Sequence, residues 1–368
     1  MVCFRWRTSH DTLLPAFAAC VLAISSTYAQ DRQATTDQPR MFESVVSSLE
    51  QGDFPPQHAL LIQQHGELQL ERYWSGPDLV YGRPADRDFG PDDLHGTRSC
   101  TKSVVGLLVG IAVHEGLLPV LETPAHTLFP DLGLENQKGF SAKHREVTLE
   151  HLLTMTDGFD WQQHESDDHP NNEAELEQSD DVAAYVWSQP MKRAPGEAFN
   201  YNSAATALLA RAVRRGSGRD IEAFAEEKLF GPLQIEHWEW LHDLDNEPAA
   251  HFGLRLTPRD MLKVGQLVLQ DGEWNGKQVV PAAWIKEMSD HANGTRKYRY
   301  QWWLEDFSTT EQPARVVAAF GRGGQSIFVL PQQDAVVVLT AGHYDDNRAA
   351  GARKNLVRQV ILPELLAR

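Results

Sequence analysis

Ser99 and Lys102 lie three residues apart in Thr97-Arg98-Ser99-Cys100-Thr101-Lys102-Ser103, just ahead of a long apolar stretch. On a helix, residues at this spacing share a face, so an amine can sit against a hydroxyl. A serine hydroxyl is too weak an acid to attack anything unaided. A lysine whose pKa is lowered by burial and cationic surroundings can accept its proton. A helix N-terminus adds a favourable potential for an oxyanion. The pair alone is a weak signal, because Ser followed by Lys on a helix is usually a cap and a solvated side chain. Val104 to Val113 strengthens it: this run is too apolar for a surface helix and fits a central one that holds Ser99 at a cleft floor and buries Lys102.

The elements that must hold such a helix are legible on both sides of it. His58 to His65 and Glu67 to Trp74, separated by Gly66, predict a tight β-hairpin, and a short helix is expected near Met41 to Gln51. Far downstream, Tyr300 to Leu304, Ala314 to Phe320, Ser326 to Leu330 and Ala335 to Thr340 read as strands, and Asn347 to Leu366 as a closing helix. Between them lie helical patterns at Ser99 to Glu115, Thr148 to Met155, Asp180 to Trp187, Ser203 to Arg215, Ile221 to Leu229 and Pro258 to Gln270. This order predicts an α+β fold: an antiparallel sheet built from both chain ends (about 41–90 and 290–368), flanked by helices, with an inserted, mainly helical lobe (about 91–289). A cleft at the junction is the default place for a ligand.

The 368 residues carry 34 basic and 51 acidic side chains, a net charge of −17 that argues against a nucleic-acid partner. Arg5 and Arg7 before the apolar stretch Leu13 to Ile24, with Thr27-Tyr28-Ala29 as a cleavage site, predict a signal peptide over 1–29 and a secreted or periplasmic protein. The stretch is too short for a stable membrane span. Residues 30–40 read as a flexible leader before a single catalytic domain over 41–368. Cleavage would remove Cys3 and Cys20 and leave Cys100, which excludes an intrachain disulfide and a cysteine metal cluster. From Asp157 to Asp181 there are ten acidic residues and no Lys or Arg, so a surface loop is expected, one that would repel anions if it flanks the cleft. His164, Asp167, Asp168 and His169 have no recognised ligand spacing, and no metal or organic cofactor is expected.

With these residues in view, the chain resembles the serine β-lactamase and penicillin-binding-protein superfamily, in its class C-like branch of esterases and 6-aminohexanoate-dimer hydrolase. Thr148-Leu149-Glu150-His151-Leu152-Leu153-Thr154-Met155-Thr156-Asp157-Gly158 is similar to the branch's T-x-x-H-L-L-x-M-T-S-G segment. Leu256 to Met261 and Asp271 to Lys277 are similar to its L-T-x-R-D-M and G-x-W-N-G-K segments. The resemblance runs from about residue 55 to 365 and implies a serine hydrolase forming an acyl-enzyme on a small amide or ester, with Ser99 as nucleophile. By its Tyr-x-Asn motif it implies Tyr201 as the second proton-transfer group, with Ser203 in the Asn place as a shortened substrate contact. Its Lys-Thr-Gly motif falls on Ala319-Phe320-Gly321, so the lysine that holds a substrate carboxylate is absent. The backbone N–H groups of Ser99 and Arg322 would form the oxyanion hole, Gly321 and Gly323 would line the substrate, and Arg322 would replace the lost charge only if it points inward. Glu173-Ala174-Glu175-Leu176 only faintly resembles a class A Glu-x-x-Leu motif and is set aside; Asn275-Gly276-Lys277 reads as a turn rather than a phosphate loop. A D-Ala-type peptidase, a β-lactamase and a non-catalytic penicillin-binding-like sensor remain as alternatives, and the oligomeric state is open.

Overall fold

The computed structural model describes residues 42–80, 83–163, 171–291 and 297–367. The expected signal peptide, its cleavage site, the leader to residue 40 and the His164 to His169 group lie outside the described residues. Seven strands form one antiparallel sheet: β1 (Ala59–Gln64), β2 (Glu67–Tyr73), β3 (Tyr298–Arg299), β4 (Trp302–Asp306), β5 (Arg315–Phe320), β6 (Ser326–Leu330) and β7 (Ala335–Thr340). Their order is β3-β4-β5-β6-β7-β1-β2, so β1 from the chain's start pairs with β7 from its end, Ala59 opposite Thr340. The hairpin turns at His65 and Gly66, both with positive φ (53° and 76°), as a two-residue turn matched to strand twist requires.

Strand alternation sends the two faces into two cores. Leu61, Val317, Ala319, Ile327, Val329, Val336 and Val338 pack toward the helical lobe. Leu60, Ile62, Val316, Ala318, Phe320, Phe328, Val337 and Leu339 pack against the terminal helices. Those are α1 (Glu43–Glu50) and α7 (Asn347–Leu356), the latter running through a π-helical turn, Val357–Ile361, into Leu362–Leu366. Pro363, with no N–H to give, sits just after that turn.

The lobe is built on α2 (Cys100–His114), buried without a break from Cys100 to Ala112. Against it packs α5 (Ser203–Ser217), with α3 (Leu149–Leu153) and α4 (Asn172–Leu176) packed on α5 in turn, while α6 (Pro258–Leu269) lies on the sheet. Close approach is what α2's glycines allow: a Cβ on Gly106 would lie 2.3 Å from the Tyr300 carbonyl oxygen, and one on Gly110 would enter the Trp284 ring. Ser103 Oγ donates to the Gln301 carbonyl at 2.7 Å, and the Gln301 amide reaches the Leu152 and Leu153 carbonyls, so one buried polar residue ties three segments.

Two sequence expectations shift. The strand read as Tyr300–Leu304 is broken, because Tyr300 and Gln301 turn with positive φ (43° and 70°) between β3 and β4. The acidic segment is only partly a solvated loop: Asp157 is buried, and α4 sits within it.

Candidate active site

The turn that presents Ser99 is pinned from below. Thr97 Oγ1 donates to the Leu254 carbonyl at 2.9 Å and lies 3.0 Å from Thr101 Oγ1, which accepts from Leu254 N at 3.2 Å. Arg98 then takes a left-handed conformation, φ 52°, uncommon for a residue with a side chain. Its guanidinium lies 4.7 Å over the Tyr344 ring. The strained turn delivers Ser99 to the N-cap of α2 with helical dihedrals, one turn before Lys102.

Lys102 is fully buried, and its Nζ donates to Ser99 Oγ at 3.0 Å and to the His251 carbonyl at 2.7 Å. Burial disfavours the ammonium and lowers its pKa to about 8, while the Glu173 carboxylate works in the opposite direction. The Tyr201 ring centroid stands 5.3 Å from Nζ. Tyr201 stacks on Trp303, centroids 5.6 Å apart, and meets Tyr298 edge-on. In this apolar box burial holds the phenol well above its usual pKa, so it stays protonated.

Tyr201 is placed by the stretch similar to the T-x-x-H-L-L segment. Asn200 N donates to the Met155 carbonyl at 2.9 Å and Gly196 N to the Thr156 carbonyl at 2.7 Å. Asn202 caps α5 through Ala204 N, and its amide donates to the buried Asp157 carboxylate at 3.0 Å. Tyr201, far from Ser99 and Lys102 in sequence, thus stands beside them in one cluster.

Other expected residues stand differently. Ser203 is fully buried and its Oγ donates to Glu173 Oε1 at 2.6 Å, so it faces a carboxylate instead of a substrate amide. Glu173, set aside on sequence, thus reaches the site from α4, and Glu177, one turn on, has its pKa raised to about 7 by burial and by Glu173. Nothing but the faint Glu-x-x-Leu resemblance signalled this. Gly321 and Gly323 are small because the chain packs on them. A Cβ on Gly321 would lie 2.3 Å from the Thr97 carbonyl oxygen, and one on Gly323 2.5 Å from the Tyr344 ring. Arg322 is 68% exposed, with Nε donating to the Tyr344 carbonyl at 2.7 Å and Asp345 at 3.7 Å, so its charge has a carboxylate partner of its own. Its backbone N–H lies just past the last β5–β6 pair, Phe320 opposite Ser326, outside the sheet ladder.

A two-ended antiparallel sheet carrying a Ser-x-x-Lys pair at the foot of a buried helix defines a hydrolase of the serine β-lactamase type. Residues 50–360 match the Beta-lactamase family, and the chain belongs to it. It is 25% identical over 311 residues to a 6-aminohexanoate-dimer hydrolase of Paenarthrobacter ureafaciens, covering 76% of this chain and 71% of that one. Among solved structures, a candidate 6-aminohexanoate-dimer hydrolase from Bacillus anthracis superposes with a TM-score of 0.68 at 22% identity, over 84% of this chain and 79% of the other. EstCE1, a hydrolase with promiscuous acyltransferase activity, superposes with a TM-score of 0.67 at 15% identity, over 85% and 97%. The fold is thus that of amide and ester hydrolases of this superfamily.

Proposed function

We propose that this chain is an exported serine hydrolase that cleaves a small amide or ester through an acyl-enzyme on Ser99. The observation that carries the reading is the 3.0 Å contact between Ser99 Oγ and the fully buried Lys102 Nζ. In this scheme neutral Lys102 takes the Ser99 proton as Oγ bonds to the acyl carbon. The carbonyl electron pair moves onto oxygen, facing the Ser99 and Arg322 N–H groups; as it returns, the bond from the acyl carbon to the leaving group breaks and Lys102 passes its proton to that group. Tyr201 relays a proton during acylation and helps deliver water to the ester that remains. Export rests on the leader read over residues 1–29.

The electrostatics favour a neutral or amine-bearing substrate over an anionic one. Ala319 stands in the place of the carboxylate-binding lysine, and two carboxylates, Glu173 and Glu177, act on Lys102. Linear aminoalkanoate amides and simple esters therefore rank above β-lactams and D-alanyl peptides. A panel of p-nitrophenyl esters, 6-aminohexanoate dimer and nitrocefin, each with the wild type and Ser99→Ala, tests this. Ester or dimer turnover lost in Ser99→Ala supports it; fast nitrocefin turnover reverses the substrate ranking, and full turnover by Ser99→Ala removes the acyl-enzyme.

A further inference from the structure

Behind the glycine-rich turn that follows β5 lies Arg353, on α7 and only 8% exposed. One of its terminal nitrogens donates to the Gly321 carbonyl at 2.7 Å and to the Gln325 carbonyl at 3.3 Å, and the guanidinium lies 4.6 Å over the Phe320 ring. Among the described residues no carboxylate ion-pairs with it, and its Nε has no partner. Lys354 beside it, by contrast, pairs with Glu305. Removing a guanidinium from water without a direct ion pair is expensive; here the two backbone carbonyls offset part of that cost, with the Glu305 carboxylate acting from beyond ion-pair distance.

The first of those carbonyls matters because of the peptide it belongs to. Gly321 C=O and Arg322 N–H are two ends of one planar trans unit and point in opposite directions. A cation fixed on the oxygen therefore fixes where the N–H is aimed. It also draws electron density toward that oxygen, which makes the N–H a stronger donor. The same turn is closed by Gly321 N donating to the Gln325 carbonyl at 2.9 Å and by His343 N donating to the Gly323 carbonyl at 2.9 Å. Its front is packed on the nucleophile's own turn: Thr97 O and Arg98 Cβ fill the space where a Gly321 side chain would be, and Cys100 Sγ donates to the Gln325 carbonyl at 3.6 Å.

We propose that Arg353 is a positioning residue for the oxyanion pocket: by holding the Gly321 carbonyl it orients and polarises the Arg322 N–H for the negative oxygen formed when Ser99 attacks. This rests on the Ser99 acyl-enzyme reading. Arg353 exchanges no proton and forms no bond with substrate; the proton from Ser99 goes to Lys102 and the electron pair to the acyl oxygen. The positive charge that relatives place on the strand, and that Ala319 cannot supply, is thereby returned to this end of the sheet from the last helix, where it acts through a peptide instead of touching the substrate.

The test compares wild type, Arg353→Met, Arg353→Lys and Ser99→Ala in the full chain. It uses steady-state hydrolysis of p-nitrophenyl acetate, inhibition by phenylboronic acid as a tetrahedral adduct of Ser99, and thermal melting. Arg353→Met is expected to lose kcat by roughly 10- to 100-fold, at or below the cost of losing a whole oxyanion donor, with KM within about 2-fold. Boronate affinity falls in parallel, and Arg353→Lys recovers part of both because an ammonium can still donate to the Gly321 carbonyl. A merely structural arginine would lower the melting temperature without separating kcat from KM. Unchanged kcat in folded Arg353→Met, a loss confined to KM, or undiminished boronate affinity overturns the proposal. If Arg353→Met does not fold, Arg353→Lys decides: reduced kcat and weaker boronate binding support the role, and wild-type values reject it. Inactive Ser99→Ala with unaffected Arg353 variants rejects this role alone, whereas active Ser99→Ala rejects the acyl-enzyme beneath it.

Discussion

Glu173 accepts a 2.6 Å hydrogen bond from Ser203, which ties α4 to the first turn of α5 beside the Ser99–Lys102 pair. The carboxylate is the largest charge acting on Lys102, and it favours the ammonium. Glu173→Gln keeps an acceptor for Ser203 and removes the charge. Lys102 then loses its proton at lower pH, so the acid limb of kcat/KM moves toward acid and activity near neutrality rises relative to the optimum. An unmoved limb with unchanged kcat would show that Glu173 does not govern the base.

In the wild type the limb itself is predicted. Lys102 accepts a proton only as the free amine, and burial lowers its pKa to about 8, so kcat/KM climbs with pH through that value. Tyr201 is held above its ordinary pKa, so it adds no alkaline fall below about pH 10. Ester hydrolysis measured from about pH 5.5 to 10 checks the acid limb and the plateau above it; a profile flat across pH 8 contradicts the assignment of Lys102 as base.

The same burial separates stability from activity. A lysine whose folded pKa lies below its unfolded value penalises the fold at neutral pH, and the penalty is relieved only as pH rises from about 8 toward the unfolded value. Lys102→Met removes the buried cation and keeps the bulk. We expect turnover to fall by about 1,000-fold or more while the melting temperature at pH 7 is unchanged or higher. A marked drop in melting temperature would mean that the bonds to Ser99 and the His251 carbonyl outweigh desolvation.

How much of this was readable depended on how local each relationship is. Ser99 and Lys102 sit one helical turn apart, so their meeting is written in the spacing, and His65-Gly66 marks the hairpin by its need for positive φ. The sheet's closure was legible because β1 and β7, the strands that meet across it, are short apolar-rich runs buried along their whole length. Glu173 was not, since its reach to Ser203 spans thirty residues and depends on a short helix inside an acidic stretch. His251 bonds Lys102 through its backbone carbonyl, which no side chain announces. The turn at Tyr300 and Gln301 is hidden in an aromatic run that reads as strand, and Arg353 acts on a peptide, leaving no motif.

Packing of the central helix gives a prediction independent of chemistry. A Cβ on Gly106 would lie 2.3 Å from the Tyr300 carbonyl oxygen, a backbone atom that cannot swing away. Gly106→Ala improves helix propensity yet forces α2 off β3 and β4, and we expect a net loss of about 1–3 kcal/mol, seen as a melting temperature several degrees lower. Stabilisation would mean that the turn at Tyr300 yields readily.

Gly321→Ala tests the joint between sheet and nucleophile. The methyl group would meet the Thr97 carbonyl oxygen at 2.3 Å and Arg98 Cβ at 3.1 Å. Thr97 is anchored on Leu254 through both its N–H and its hydroxyl, so the displaced element is the glycine turn itself. That turn carries the Arg322 N–H and leans on Arg353, whereas Ser99, Lys102 and Tyr201 are held by α2 and by the Met155 to Asp157 segment. Gly321→Ala should therefore lower kcat by roughly 100-fold, the scale of a misplaced oxyanion donor, while leaving the pH midpoint near 8. A shifted midpoint with intact kcat would place the damage at Lys102 and show that the two halves of the site are not mechanically separate.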